Sequence, residues 1–479
     1  MISEQLNALF ERSAIRLQDG SLLQESLSPK PDHFDFGRVE GMMLGLAIGD
    51  ALGVTTESQV PGERRRAHGE IRDYLPNEYR GDRRGYPSDD SQLAFWTLEH
   101  LIEVGRVDPD RLAQRFASGG KIAGIGKAMR GFIRNVKRGT PWYNAGVPSA
   151  GNGALMRIAP VIVPHLRTGG AALWDDVATA ATLTHNDATS TACCLAFTRM
   201  LWELLDLEAP PPRTWWRERF VSLAGPLEGD TRLRPRGGAY TDYCGSLTRF
   251  VDERLRWAEV EEIPTLDACD AWYSGAYLLE TVPCALLILS RYAHDPEQAI
   301  VRAVNDTRDN DTVAAIVGAA AGALHGRVGL PARWVEGLSG WTRYEDGGDE
   351  GRVFELLDLA HLRFWKQRAQ PQLEKIEPDE GASHMPRNPV TEGFRATLTE
   401  LDRYYVRLQD AMLTATSSKD FAKSEELHGL LRTLAEFRGS VSAIEQEWQK
   451  GIGPRVLKEV NKPVPKSMGP HGKSPKSGL

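Results

Sequence analysis

Two short acidic stretches carry the residue types that could do chemistry. Thr307-Arg308-Asp309-Asn310-Asp311-Thr312 runs directly into the small, apolar segment from Val313 to Gly322, and Ser88-Asp89-Asp90-Ser91 opens another apolar segment far upstream. Carboxylates and hydroxyls placed just before a helix have two uses. They can accept first-turn backbone N–H groups as a cap, favoured by the helix dipole, or they can converge on a cation. Either stretch alone reads first as a cap, but two of them could share one metal site. Oxygen donors of this kind suit Mg²⁺, Mn²⁺ or Ca²⁺ and not zinc, which calls for His or Cys. Several carboxylates meeting at one point repel one another, and their pKa values rise unless cations neutralise them.

Glycine-containing loops supply a second class of candidate. Gly124-Ile125-Gly126-Lys127 has the look of a phosphate-cradling loop, although it lacks the GK[ST] pattern that would make it specific. Gly151-Asn152-Gly153 precedes an apolar run; it reads as a turn, or as a nest of N–H groups for a diphosphate. Thr184-His185 stands before an Ala-, Thr- and Cys-rich helix, and Ser274-Gly275-Ala276-Tyr277 before another. A histidine so placed is a packed or capping residue as readily as a functional one.

The elements that must position these groups are helical. Apolar residues recur at intervals of three and four, and alternating β-branched runs are scarce, so the fold class is all-α. Gly41, Gly45, Gly49 and Gly53 fall at every fourth position and give one helix a face nearly bare of side chains. Each helical glycine costs about 1 kcal/mol against alanine, so close approach by another helix has to offset it. Asp50 lies inside this apolar stretch and needs a partner, because a buried lone carboxylate is costly. Ser88 reads as the N-cap of an amphipathic helix through Leu101.

The 479 residues, 41% hydrophobic and 26% charged with net charge -7, describe a globular chain and argue against a globally nucleic-acid-binding one. No apolar h-region opens the chain, and the run from Val313 is interrupted by His325 and Arg327, so no membrane span is expected. The five cysteines show no C-x-x-C spacing, which with the missing leader suggests a cytoplasmic protein. Residues 1–36 read as a polar extension, 37–369 as the main domain, and 370–392 as a Pro-rich linker. Two heptad-like stripes in 393–450 read as a helical hairpin or coiled coil, suited to packing, partner binding or self-association. The tail 451–479 is basic and rich in Pro, Gly and Ser, so disorder is expected; it is the one part that could meet nucleic acid.

Taken in order, Gly41 to Gly53 with Glu57, Ser88-Asp89-Asp90, Gly124 to Arg130, Gly151 to Pro160, Thr184-His185, Ser274-Gly275 and Asp309-Asn310-Asp311-Thr312 resemble the ADP-ribosylglycohydrolase family, the relatives of dinitrogenase-reductase-activating glycohydrolase. The resemblance spans roughly residues 37–345. It implies an ADP-ribosylglycohydrolase-like all-α domain that holds two divalent cations, usually Mg²⁺, with Ser88, Asp89, Asp90, Asp309, Asp311 and Thr312 as ligands. It further implies Glu57 or Asp89 as catalytic carboxylate. Gly124, Gly126, Gly151, Asn152 and Gly153 would line an ADP-ribose cleft, His185 would touch a sugar, and Ser274, Gly275 and Tyr277 would lie near the adenine. One departure stands out: Thr307-Arg308 occupies a place where many members have Gly-Gly, which adds bulk and a cation. The expected function is metal-dependent hydrolysis of the bond between ADP-ribose and a modified side chain, arginine favoured. The alternative is an immunity protein that blocks a toxin by occlusion without turnover.

Overall fold

The computed structural model describes residues 4–11, 14–57, 59–77 and 80–366, with scattered positions between 397 and 441. The chain divides into two compact units, Met1–Ala369 and Gln370–Leu479. The expected linker, hairpin and basic tail fall in the second unit, outside the continuously described residues.

The first unit is all-α; among the described residues the only extended pairings are isolated bridges such as Gly151 with Tyr277. Nine helices matter for the site. They are α1 (Gly37–Gly53), α2 (Pro61–His68), α3 (Asp89–Val104), α4 (Lys127–Lys137), α5 (Ala172–Thr184), α6 (Ala188–Leu204), α7 (Leu278–Tyr292), α8 (Pro296–Asp306) and α9 (Asn310–Gly329).

α1 and α9 form the buried axis of the domain. The bare face of α1 meets an equally bare face on α9, as the every-fourth-residue spacing requires. A Cβ on Gly45 would lie 2.1 Å from the Gly318 carbonyl oxygen, one on Gly318 2.0 Å from that of Gly45, and one on Gly49 2.0 Å from that of Ala314. These obstacles are backbone atoms, which cannot swing aside as a side chain can. The close approach brings the C-terminal end of α1 against the first turn of α9, with Gly53 against Asp311.

Two readings of the sequence gain detail here. Gly37–Thr56 and Asn310–Gly329 do reach 20 residues with membrane-like hydropathy, yet they are 83% and 78% buried inside the fold. Their apolar character serves helix-to-helix contact, which hydropathy alone does not distinguish from contact with lipid. The N-terminal segment is also less polar in use than in composition. Leu22, Leu23, Leu27, Phe34 and Phe36 join the core, and buried Lys30 donates to Asp206.

Candidate active site

Six carboxylates converge where α1, α3 and α9 meet. Asp50, from α1, accepts the backbone N–H groups of Ser88 (2.9 Å) and Ser91 (3.0 Å). It caps α3 from outside that helix, which answers the demand for a partner and fixes the orientation of the Ser88-Asp89-Asp90 turn. Within the turn, the Asp90 N–H donates to the Ser88 hydroxyl at 3.2 Å, so Ser88 is the N-cap. The Ser88 and Thr312 hydroxyls both donate to Asp90 Oδ2, at 3.1 and 3.3 Å. Asp90 Oδ1 is buried with no hydrogen-bond partner.

Asp309 takes the N-cap position of α9 without acting as a side-chain cap. Its Oδ2 accepts from Asn152 Nδ2 at 2.6 Å, and Asn152 also donates to the Thr281 hydroxyl. The expected by-product of the acidic loop, a side-chain cap, is therefore not made by Asp309. Its carboxylate is held toward the other acids by the Gly151–Gly153 turn instead. The backbone of the loop is anchored by Ser274, whose carbonyl accepts from Arg308 and Asp309 N–H and whose hydroxyl accepts from Arg308 N–H. Tyr273 and Ser274 both have positive φ, 73° and 43°. Two consecutive non-glycine residues in that region are strained, a cost of about 1–3 kcal/mol each.

Glu57 follows a short 3₁₀ turn, Val54–Thr56, and faces solvent at the edge of the cluster. Arg64 of α2, fully buried, ties this turn to the acidic loop. Its Nη1 donates to the carbonyls of Val304 (2.7 Å) and Thr307 (2.8 Å), and its Nη2 to that of Gln59 (2.8 Å). Asn310 adds a second tie, donating to Gly53 O and to the Thr56 hydroxyl. Replacing Arg64 with Gln should leave several of these carbonyls unpaired and cost about 3 kcal/mol or more at roughly 1–3 kcal/mol per group. It should also depress kcat by loosening Glu57 against Asp309. Thermal unfolding and steady-state kinetics would read both effects; a wild-type kcat would show that Arg64 positions nothing.

One oxygen each of Asp50, Asp90 and Asp311 lie within 4.8 Å of one another, as do one each of Glu57, Asp309 and Asp311. The two triads share Asp311. Such an array suits hard cations: acceptors only, no nitrogen or sulfur, and an orphaned buried oxygen on Asp90. Of the six ligands implied by the resemblance, Asp90, Asp309 and Asp311 sit in the triads, while Ser88 and Thr312 adjoin them through Asp90. Asp89 stands apart in neither triad, half-buried, with Oδ1 only 2.9 Å from where a Cβ on Gly124 would be. Gly124, at φ 73°, is thus fitted to the carboxylate both by conformation and by lack of a side chain. Its loop is held by Gln92 of α3, which accepts from Ala123 N–H and donates to Lys121 O.

Burial and mutual repulsion raise these acids. Desolvation, then the charges of Asp309 and Asp50, lifts Glu57 to about 7. Desolvation with Asp50 and Glu57 lifts Asp89 to about 8. Asp309 rises to about 6, chiefly through desolvation. Asp90 and Asp311 are driven well above the carboxylate range by burial first and neighbouring acids second. A carboxyl whose folded pKa exceeds its unfolded one holds extra protons in the folded state, so stability falls as pH rises through that window. Protein stripped with EDTA should therefore melt at progressively lower temperature from about pH 4, where the unfolded carboxyls ionise, to about pH 8. The stabilisation restored by Mg²⁺ should grow over the same range, since cations bind the deprotonated form. A Mg²⁺-induced shift in Tm that is flat with pH would contradict this.

A cleft of about 970 Å³ opens on one side of Glu57, lined by Arg80, Tyr86, Lys121, Gly124, Arg130 and Tyr344 among others. A smaller cavity of about 280 Å³, on whose wall Asp309 and Gly275 lie, also borders Glu57. Gly126 is the N-cap of α4 and is exposed. His185 is buried, its ring set against the Gly151–Gly153 turn; a Cβ on Gly153 would fall 2.9 Å from Cε1. Burial and Arg157 push His185 down to about 3, so it stays neutral. Its Nδ1 is 2.9 Å from the Thr184 hydroxyl, which also accepts from Arg157. Tyr277 pairs its backbone with Gly151 and so joins the two loops. Asp50, Arg64, Asn310 and Gln92 were not among the expected site residues. Only Asp50 had a legible signal, a carboxylate within an apolar helix.

A family model described as ADP-ribosylglycohydrolase matches residues 30–369. An uncharacterized protein of Archaeoglobus fulgidus is 30% identical, over 62% of this chain and 90% of its own length. The ADP-ribosylarginine hydrolase Tri1 of Pseudomonas putida is 28% identical, over 64% of this chain and 75% of its own. The ADP-ribosyl-[dinitrogen reductase] glycohydrolase of Rhodospirillum rubrum is 26% identical, over 63% and 90%.

Proposed function

Since the chain belongs to the ADP-ribosylglycohydrolase family and is a glycosyl-bond hydrolase, we propose that it cleaves ADP-ribose from a modified protein side chain, with arginine the favoured acceptor, and that the reaction needs two divalent cations, Mg²⁺ first. The observation that carries this reading is the pair of carboxylate triads sharing Asp311 beside an open cleft. A protein that only occluded a toxin would have no use for six crowded acids, four of them buried, whose desolvation and mutual repulsion work against ionisation.

Asp50, Asp90 and Asp311 would hold one cation, and Glu57, Asp309 and Asp311 the other. When bound, the cations supply charge to orient ribose hydroxyls and to acidify a water. Glu57 is the better placed of the two candidate bases, being solvent-accessible and bordering both cavities, whereas Asp89 is half-buried against Gly124. Its carboxylate would take the proton of the water that attacks the anomeric carbon, where oxocarbenium-like charge develops. Asn152 and Arg64 keep Asp309 and the Glu57 turn in place while this happens.

The test is a release assay on proteins carrying ADP-ribose on arginine or on serine, with Mg²⁺ and again with EDTA. Release from arginine that EDTA abolishes is the expected result. Release that persists in EDTA would remove the cation from the reading, and release from serine alone would remove arginine. Toxin neutralisation with no release at all would favour occlusion.

A further inference from the structure

The smaller cavity beside Glu57 is walled by two arginines, Arg236 and Arg308, together with Tyr273, Gly275, Ala276 and Asp309. Each guanidinium is held from behind by a carboxylate. Arg236 directs Nε and Nη2 to the fully buried Glu280, with Nη2 at 2.7 Å from Oε2, and its Cζ stands 5.4 Å from the Tyr277 ring centre. Gly275 is needed for that pair, because a Cβ there would lie 2.7 Å from Glu280 Oε2 and 3.1 Å from Arg236 Nη2. Arg308 donates from Nη2 to Asp270, an exposed carboxylate, and its Cζ stands 4.9 Å from the Tyr273 ring centre. Its buried Nε has no partner. The Gly275 and Ala276 N–H groups make no hydrogen bond among the described residues. Donors thus outnumber what the surrounding protein uses. The lining acids Glu57 and Asp309 belong to the carboxylate cluster.

We propose that Arg236 and Arg308 form a phosphate-recognition subsite beside the reaction centre. The proposal rests on the hydrolase reading and adds an anion site to it. Guanidinium groups bind phosphate through paired charge-assisted hydrogen bonds. The phosphate can come from the diphosphate of the ADP-ribosyl group or from a phosphorylated residue of the acceptor.

Calorimetric titration of the Mg²⁺-loaded protein with ADP-ribose and with a phosphoserine peptide separates these sources. The variants are Arg308→Gln, Arg236→Gln and, because Glu280 is buried, the charge-keeping Arg236→Lys. Loss of about tenfold or more in ADP-ribose affinity per Gln substitution, with partial recovery in Arg236→Lys, would assign the subsite to the substrate diphosphate. Unchanged ADP-ribose affinity with a matching loss for the phosphopeptide would assign it to the acceptor. Wild-type affinity for both probes in Arg308→Gln and in Arg236→Lys, each melting as the native protein does, would overturn the proposal, as would failure of the native protein to bind either probe. The release assay is read separately, so a protein that binds phosphate through these arginines yet hydrolyses nothing would leave the subsite standing and refute the hydrolase reading.

Discussion

Asp311→Asn should abolish turnover, by about 10³-fold or more, because base catalysis and cation placement both depend on the residue that the two triads share. The same substitution should make EDTA-treated protein more stable near neutral pH. Asp311 is buried and crowded by Asp309 and Asp90, so its ionised form is strongly disfavoured, and a neutral amide of the same shape removes that repulsion. A rise in the metal-free Tm combined with loss of the Mg²⁺-induced rise is a signature that simple misfolding cannot produce. Calorimetry with Mg²⁺ or Mn²⁺ should detect no tight site. Full activity in Asp311→Asn, or an undiminished Mg²⁺ response, would refute the two-cation assignment.

Glu57→Gln should lower kcat by about 10²- to 10⁴-fold, the usual contribution of a positioned general base. ADP-ribose affinity should fall much less, since glutamine keeps the size of Glu57 on the cleft wall. The pH profile discriminates this from a binding defect. In the cation-free site Glu57 titrates at about 7. Bound cations favour its charged form and move that value down, so native kcat/KM should rise with pH along a limb below neutrality. The limb should vanish in Glu57→Gln. Should it persist with a near-native kcat, the base is Asp89, and the equivalent Asp89→Asn protein should then lose it.

Much of the site was legible in the residues themselves. An all-α chain, acids opening two helices and a glycine every fourth position are local patterns, read from spacing alone. They put acids at two helix starts that could share a cation, and they demanded a close partner for the Gly41–Gly53 face; the family resemblance, not spacing, singled out Asp90, Asp309 and Asp311 as joint ligands. The sequence also marked Arg308 as an unusual cation in the acidic loop.

Tertiary structure decided what those patterns left open. It supplied α9 as the partner of α1, through backbone-to-backbone contact that no side chain announces. It turned Asp50 into the cap of a helix on a different part of the chain, and it gave Asn152 and Ser274, both expected ligand contacts, hydrogen bonds that support Asp309. Arg64, one of three consecutive arginines, became the buried tie between Glu57 and the acidic loop. Such roles depend on which groups lie close after folding, and hydrogen bonds and repulsion act over a few ångströms in space regardless of separation along the chain. The residue types and their spacing set carboxylates at the openings of two helices; only the packing of α1 against α9 decided which of them meet, and that two arginines would stand beside them.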